Sequence, residues 1–416
     1  MTRKEAERKS HQFKANLRNV GKSICSLWRD ELMRKLLLGV VVLAVCGMMV
    51  APAATAKKDQ PQPPSEPTGD LVITSNPQLI IKVPNYVRQY DWVNGEFSHT
   101  WSGTVGDNHG SNSVIGDVDN DGEKEIVATG TIRTALKGNK YSYAHVLKVW
   151  NDGDASDAPS ISKQLDYGTG IMEIGDVDKD GKAELVLSAT HSDFTAEVWS
   201  CDGSDCSKEA SISALGMSSL TVADADNDGY PEIIMGQGTG DYYYQPVIAD
   251  YNDGVYSIIP LPMASKMALD EISVGDIDGN SGNELFGVDM SGTAHVWRYS
   301  NNKYTEIWTK AVGDYCMNTE IADINGEGKN EIAFTQFNAM KLVLFKYDGS
   351  DSWSQLGAYN GANGGVSDAM VSADLDGDGD AELVVVNHVW DWDGTVMKNI
   401  QDLNPNKDRI YDVSIE

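Results

Sequence analysis

Six short acidic stretches recur along the chain, and they restrict its fold more than any other feature. They read GDVDNDGEKE (116–125), GDVDKDGKAE (175–184), ADADNDGYPE (223–232), GDIDGNSGNE (275–284), ADINGEGKNE (322–331) and ADLDGDGDAE (373–382). Their first aspartates are Asp117, Asp176, Asp224, Asp276, Asp323 and Asp374, separated by 59, 48, 52, 47 and 51 residues. A period near 40–50 residues is the mark of propellers and other repeat arrays. Around the first stretch the strand signals are short: SNSVIGD leads in, EIVATG leads out, and AHVLKVW and SISKQLDYG follow, with turn residues between. That pattern predicts four strands of about five to seven residues per unit. No amphipathic helical period follows residue 57. Four antiparallel strands repeated radially make a propeller blade, so the expected fold is all-β.

A second marker recurs between the acidic stretches, an apolar segment ending in an aromatic residue and a turn. It reads YDWVNG (90–95), VWNDG (149–153), VWSCDG (198–203), ADYNDG (249–254), WRYSNN (297–302), FKYDG (345–349) and WDWDG (390–394). Seven markers against six acidic stretches predict seven blades with the first one incomplete. QLIIKVP, VRQYDW and FSHTW (within 78–102) supply three strands of that blade. RIYDVSIE (409–416) has the pattern that precedes an acidic stretch elsewhere, and is expected to complete blade one and leave no open sheet edge.

Like charges this close repel unless a cation lies among them. In the first stretch Asp117, Asp119 and Asp121 can point oxygens at one centre, Gly122 bends the chain, the Glu123 carbonyl can face inward, and Glu125 closes the set. Hard oxygen ligands without His or Cys suit Ca²⁺; Mg²⁺ demands tighter octahedral geometry. The closing glutamate falls at position 9 and strands flank the loop, whereas an EF-hand closes at position 12 between helices. In this the sequence resembles the FG-GAP (integrin-α-like) and VCBS repeats over about residues 75–416. That resemblance implies seven-bladed propellers with a nine-residue calcium loop between the first two strands of a blade. Carried over position by position, the second set is Asp176, Asp178, Asp180, the Lys182 carbonyl and Glu184. The third is Asp224, Asp226, Asp228, the Tyr230 carbonyl and Glu232. The fourth is Asp276, Asp278, Asn280, the Gly282 carbonyl and Glu284, with Ser281 where the bend expects glycine. The fifth is Asp323, Asn325, Glu327, the Lys329 carbonyl and Glu331, and the sixth is Asp374, Asp376, Asp378, the Asp380 carbonyl and Glu382. Up to six structural Ca²⁺ are thus expected, with weaker binding in the fourth and fifth loops, which keep three carboxylates each.

Formal charge is −29, and residues 1–56 carry ten Lys/Arg against four Asp/Glu, so the remainder sums to −35. Such a surface repels nucleic acid and anionic lipid and suits cations or cationic partners. MRKLLLGVVVLAVCGMMVAPAATA (33–56) has the basic start, apolar run and small-residue end of a secretory signal peptide, and Met33 is itself a natural start. The apolar run is shorter than the ~20 residues a spanning helix needs. Membrane contact is therefore expected only through an uncleaved or lipidated N-terminus (Cys46). KKDQPQPPSEPTGD (57–70) reads as an extended linker to the propeller at 71–416. Cys201 and Cys206 flank the hairpin-tip sequence DGSD and are expected to form a disulfide, leaving Cys316 buried.

With the acidic loops on one face, two long strand 2–3 connections fall on the other. GTIRTALKGNKYSYA (130–144) carries Arg133, Lys137, Tyr141 and Tyr143, and GQGTGDYYYQ (236–245) carries Tyr242, Tyr243 and Tyr244. Aromatic rings beside polar groups suit sugars or protein surfaces. The seven histidines form no metal-spaced cluster, and no GxSxG, HExxH or phosphate loop is present. The expected function is an exported, calcium-stabilised binding module at the cell surface, with an extracellular protein or glycan as partner. The alternatives are an extracellular polysaccharide-active, lyase-like enzyme and an envelope assembly subunit.

Overall fold

The computed structural model describes residues 67, 70–74, 76–106, 112–136, 140–155, 157–189, 195–213, 217–239, 242–243, 245–263, 269–314, 316–361, 370–403, 410 and 412–415. The expected signal peptide and most of the linker lie outside them, as do His109, Lys137, His191 and Tyr244.

Seven antiparallel sheets of four principal strands make a seven-bladed propeller, and no helix occurs among the described residues. Blade 2 shows the plan: Ser113–Gly116, Glu125–Leu136, Lys140–Trp150 and Ile161–Leu165, in spatial order from inside to outside. Blades 3 to 7 begin with Thr169–Gly175, Met217–Ala223, Leu269–Gly275, Cys316–Ala322 and Met370–Ala373. Blade 1 is assembled from both ends of the domain. Asp412–Ile415 pairs antiparallel with Gln78–Val83, matching Leu79 with Ile415 and Lys82 with Asp412. The expected closure is therefore observed, and the seven innermost strands pack on one another in an unbroken ring.

Sequence accounts for the layering. The second strand of each blade lies between neighbouring blades and has both faces covered. Glu184–Ala189 and Glu284–Asp289 are buried at every position, which is why they read as continuous apolar runs rather than alternating ones. Outer strands such as Val255–Pro260 are mostly exposed. Apolar clusters fill the gaps between adjacent blades all round the ring. The aromatic marker is a core device: Trp150, Trp199, Trp297, Phe345 and Trp390 all sit one pair beyond the closing glutamate on the third strand. In blades 3, 5, 6 and 7 the register with the outer strand shifts at that aromatic residue, a bulge that bends the strand around the large side chain.

Two strands of blade 2 differ from expectation. Residues 130–144 are not a loop: the ladder between Glu125–Leu136 and Lys140–Trp150 continues out to the pair Leu136–Lys140. The expected strand length fails there because Thr131, Thr134 and Tyr143 are good strand formers, and the exposed residues beyond Thr131 need no core to pair. In blade 4 the counterpart is a two-pair ladder, Gly238–Tyr243 and Thr239–Tyr242.

Candidate metal centres and central channel

Each acidic stretch joins the first strand of its blade to the second, so all six loops lie on one face and the strand 2–3 hairpins on the other. The loops share one internal scaffold. In blade 2, Asp117 accepts the N–H groups of Asp121 (3.1 Å) and Gly122 (3.0 Å), and Asp121 accepts that of Glu123 (2.9 Å). Glu125, 1% exposed, accepts the Val118 N–H at 3.0 Å with one oxygen. The same contacts recur at Asp176, Asp180 and Glu184 and at Asp224, Asp228 and Glu232. Position 6 is left-handed throughout; φ is +95° at Gly122 and +70° at Ser281, the one non-glycine there, so the fourth loop keeps the bend at some cost in strain.

This scaffold brings positions 1, 3 and 9 together. Asp117/Asp119/Glu125, Asp176/Asp178/Glu184, Asp224/Asp226/Glu232, Asp276/Asp278/Glu284 and Asp374/Asp376/Glu382 each place one oxygen per residue within 4.8 Å of the others. Position 5 (Asp121, Asp180, Asp228) uses one oxygen on the backbone at position 7. These clusters can hold a metal ion, and their unsatisfied oxygens fit one. Asp119 Oδ1, Glu125 Oε1, Glu232 Oε1, Asp323 Oδ1, Asp380 Oδ1 and Glu382 Oε1 are buried without a hydrogen-bond donor. Such acceptors are costly unless a cation satisfies them. Burial first, then neighbouring aspartates, pushes Glu184 up to about 8; burial likewise pushes Glu232 up to about 8 and Glu125, Glu331 and Glu382 to about 7. Residues that would hold the ion without a cation present thus resist ionising.

Two loops differ. In blade 5, Arg298 donates from Nε to Glu284 Oε1 at 2.7 Å and from Nη2 to Asp278. In blade 6, the Asn325 amide donates to Glu331 Oε1 at 2.8 Å.

The loops are also tied from blade to blade. Asn120, left-handed at φ +62°, accepts the Ala183 N–H (2.7 Å) and donates to the Ala183 carbonyl. Lys179 reaches Asp228 at 2.8 Å, and Asn227 accepts the Asn283 N–H at 2.6 Å. Asn330 donates to the Asp276 carbonyl (2.9 Å) and the Ala381 N–H to the Asp323 carbonyl (2.8 Å). Blades 2 to 7 are linked in sequence by these contacts.

A central cavity of about 730 Å³ runs among the innermost strands and is bordered by the loops of blades 2 and 3. Glu173, Glu271, Glu320 and Asp412 face it. Burial, then the charges of Asp412 and Glu320, pushes Glu173 up to about 8; burial pushes Glu320 and Asp412 to about 7. Three of the four are held by donors: Ser372 donates to Glu320 at 2.7 Å, the Thr319 N–H to Glu271 at 2.7 Å, and the Ser113 N–H to Asp412 at 2.8 Å. Lys82, fully buried opposite Asp412, is pulled down to about 7 by burial. Sequence reasoning missed these residues. The usable signal was an acid three positions before Asp176 and Asp323, on the strand that faces the axis.

The remaining candidates separate. Arg133, Tyr141 and Tyr143 are exposed on the extended hairpin, with the Arg133 guanidinium 3.5 Å above the centre of the Tyr141 ring. Tyr242 and Tyr243 lie on the short blade 4 ladder. Cys201 and Cys206 are paired across strands with their sulfurs bonded, and Cys316 is buried.

Fold and loops together define a seven-bladed β-propeller with acidic strand 1–2 loops. Residues 323–385, from the acidic loop of blade 6 through the second strand of blade 7, match the FG-GAP-like repeat, in keeping with the resemblance noted in the sequence. No curated protein matches the chain in sequence. Solved structures share the fold at low identity. A proposed 6-phosphogluconolactonase from Bacteroides fragilis is 13% identical with a TM-score of 0.53, covering 83% of this chain and 99% of its own. A proposed 6-phosphogluconolactonase from Bacteroides uniformis is 10% identical with a TM-score of 0.56, covering 82% and 100%. The periplasmic gluconolactonase of Pseudomonas aeruginosa is 13% identical with a TM-score of 0.52, covering 82% and 98%.

Proposed function

We propose that the chain is an exported, calcium-stabilised binding module that recognises an extracellular glycan or protein at the cell surface. Calcium satisfies the donor-less buried carboxylate oxygens of the loop face and stiffens the strand 1–2 connections that it occupies. Recognition falls to the opposite face. The observation that carries this is the blade 2 hairpin, which extends past the core and presents Tyr141 and Tyr143, 43% and 55% exposed, beside Arg133. Flat aromatic faces next to a guanidinium match the apolar face and hydroxyls of a sugar, or a protein hot spot. The test is a glycan array and a capture assay with the mature chain and its Tyr141→Ala/Tyr143→Ala variant. Binding that falls at least tenfold in the variant supports the reading; undiminished binding refutes it.

A second reading, an extracellular enzyme acting on polysaccharide or on a sugar lactone, is favoured by the channel. Glu173, Glu320 and Asp412, which line it with raised values, supply groups that exchange protons near neutral pH. The resemblance to lactonase structures is one of fold, and fold does not determine activity. Product formation from acidic polysaccharides or lactones, lost in Glu173→Gln, would establish this reading instead.

A further inference from the structure

The residue facing the closing glutamate across strands two and three differs among the six loop-bearing blades. In blade 5 the register places Arg298 opposite Glu284. One step beyond the pairs Ile126–Trp150, Leu185–Trp199, Ile233–Ala249, Ile332–Phe345 and Leu383–Trp390, the equivalent residues are Asn151, Ser200, Asp250, Lys346 and Asp391. The two basic residues therefore fall on the two blades whose loops depart from the acidic pattern.

In blade 5 the basic residue occupies the cluster itself. Two of its three carboxylates, Asp278 and Glu284, bind the guanidinium directly, and Nη1 lies 3.6 Å from Asp351 on the next blade. Glu284 Oε1, the counterpart of oxygens that have no donor in blades 2, 4 and 7, receives the Arg298 Nε–H. Glu284 is 1% exposed and Asp278 is nearly buried, so a second cation there would meet Arg298 at short range in a poorly screened setting. Two charge-assisted contacts from one planar guanidinium, one to each carboxylate, also have the strength and fixed geometry to hold the loop closed.

We propose that Arg298 takes the place of the divalent ion in blade 5, so that this loop is closed by the chain's own cation and stays metal-free while its neighbours are loaded. The inference rests on the reading of the other loops as calcium sites. It makes the blade independent of ambient calcium: chelation loosens the loops of blades 2, 3, 4 and 7 and leaves 276–284 in place. Arg298 also ties blade 5 to Asp351 of blade 6, which a bound ion in the loop would not do.

Two measurements test this on the mature chain. Hydrogen exchange of the unmodified protein is followed in calcium and in excess EGTA. Protection of 276–284 is expected to hold within twofold while 117–125, 176–184, 224–232 and 374–382 lose at least tenfold. Equal loss at 276–284 overturns the proposal. Native mass spectrometry then counts bound Ca²⁺. Arg298→Ser, which installs the residue that blade 3 carries, is expected to bind one ion more than the unmodified chain, and Ser200→Arg one fewer. An unchanged count in Arg298→Ser overturns the proposal. If no loop responds to EGTA and no ion is counted, the calcium reading itself fails and takes the proposal with it, a pattern distinct from failure at blade 5 alone.

Discussion

Replacing Glu184 by glutamine should change stability in opposite directions with and without calcium. Glu184 is 2% exposed, and one of its oxygens accepts the Val177 N–H at 3.0 Å, a bond a glutamine carbonyl can keep. Without a cation, burial and then Asp178 raise its pKa from 4.5 to about 8. A folded value above the unfolded one means the native state holds the proton more tightly. The resulting stabilisation is complete below the unfolded value and is lost as pH rises through about 8. Above that point the ionised side chain costs the metal-free fold at most about 5 kcal/mol, at 1.36 kcal/mol per pKa unit. Glutamine never ionises, so in EGTA at pH 9 the variant should be the more stable, by about 2–5 kcal/mol. In calcium the variant lacks a ligand. An ion at a hundred times its dissociation constant stabilises by about 2.7 kcal/mol, and most of that should be lost. Urea unfolding followed by tryptophan fluorescence, in EGTA and in calcium at pH 5 and pH 9, measures all four cases. A Glu184→Gln variant equally destabilised in both media would refute the linkage between carboxylate burial and the cation. So would chelated wild-type protein that gains stability from pH 5 to pH 9.

Three further outcomes follow from the packing. Trp297→Ala removes a fully buried indole whose N–H donates to the Pro262 carbonyl at 2.8 Å, and should cost about 3–5 kcal/mol in urea unfolding. Deleting residues 410–416 removes Ile410 and Val413, both buried, at about 1.5–3 kcal/mol each, and strips the partner strand from Gln78–Val83. The truncated chain should melt lower and self-associate through the opened edge on size-exclusion chromatography. Burial pulls the His295 imidazolium down, but its hydrogen bonds to Asp289 and Glu306 more than offset this and hold its pKa above the ordinary 6.5. Its contribution is therefore complete below pH 6.5 and fades as pH rises through the raised value. The stability gap between wild type and His295→Gln should be wider at pH 6 than at pH 9.

The fold was legible because a propeller writes its repeat into the chain. The acidic loop, the buried second strand and the aromatic marker recur in the same order in unit after unit, and the spare aromatic marker at 90–95 pointed to a blade shared by both termini. What escaped was whatever depends on which residue lies across a strand. Arg298 reads as an unremarkable residue after a tryptophan; only the Glu284–Arg298 pair places its charge in the loop. The channel acids were hidden for a related reason. Glu173 and Glu320 are single acids in chains crowded with carboxylates, and they become neighbours only when the innermost strands are arranged around one axis. The 130–144 hairpin was misread because glycine and polar residues signal a loop, whereas here they extend a ladder whose outer pairs need no core.

The loop face and the hairpin face carry different demands, and the chain meets them with different chemistry. Hairpins on the far face vary in length, as the eleven pairs of the blade 2 ladder and the two extra pairs of blade 4 show. The acidic loops are not isolated. Asn120, Lys179 and Asn227 occupy the same position in successive loops, each left-handed, and each reaches the following blade. A disturbance that opens one loop therefore releases a contact to its neighbour as well. Cations in these loops would fix both the blade they sit in and the tie to the next, and a permanent guanidinium in blade 5 would anchor that series at a point no chelator can reach. On this reasoning bound cations would govern the cooperativity of the ring more than the existence of any blade, because apolar clusters fill every gap between blades independently of them.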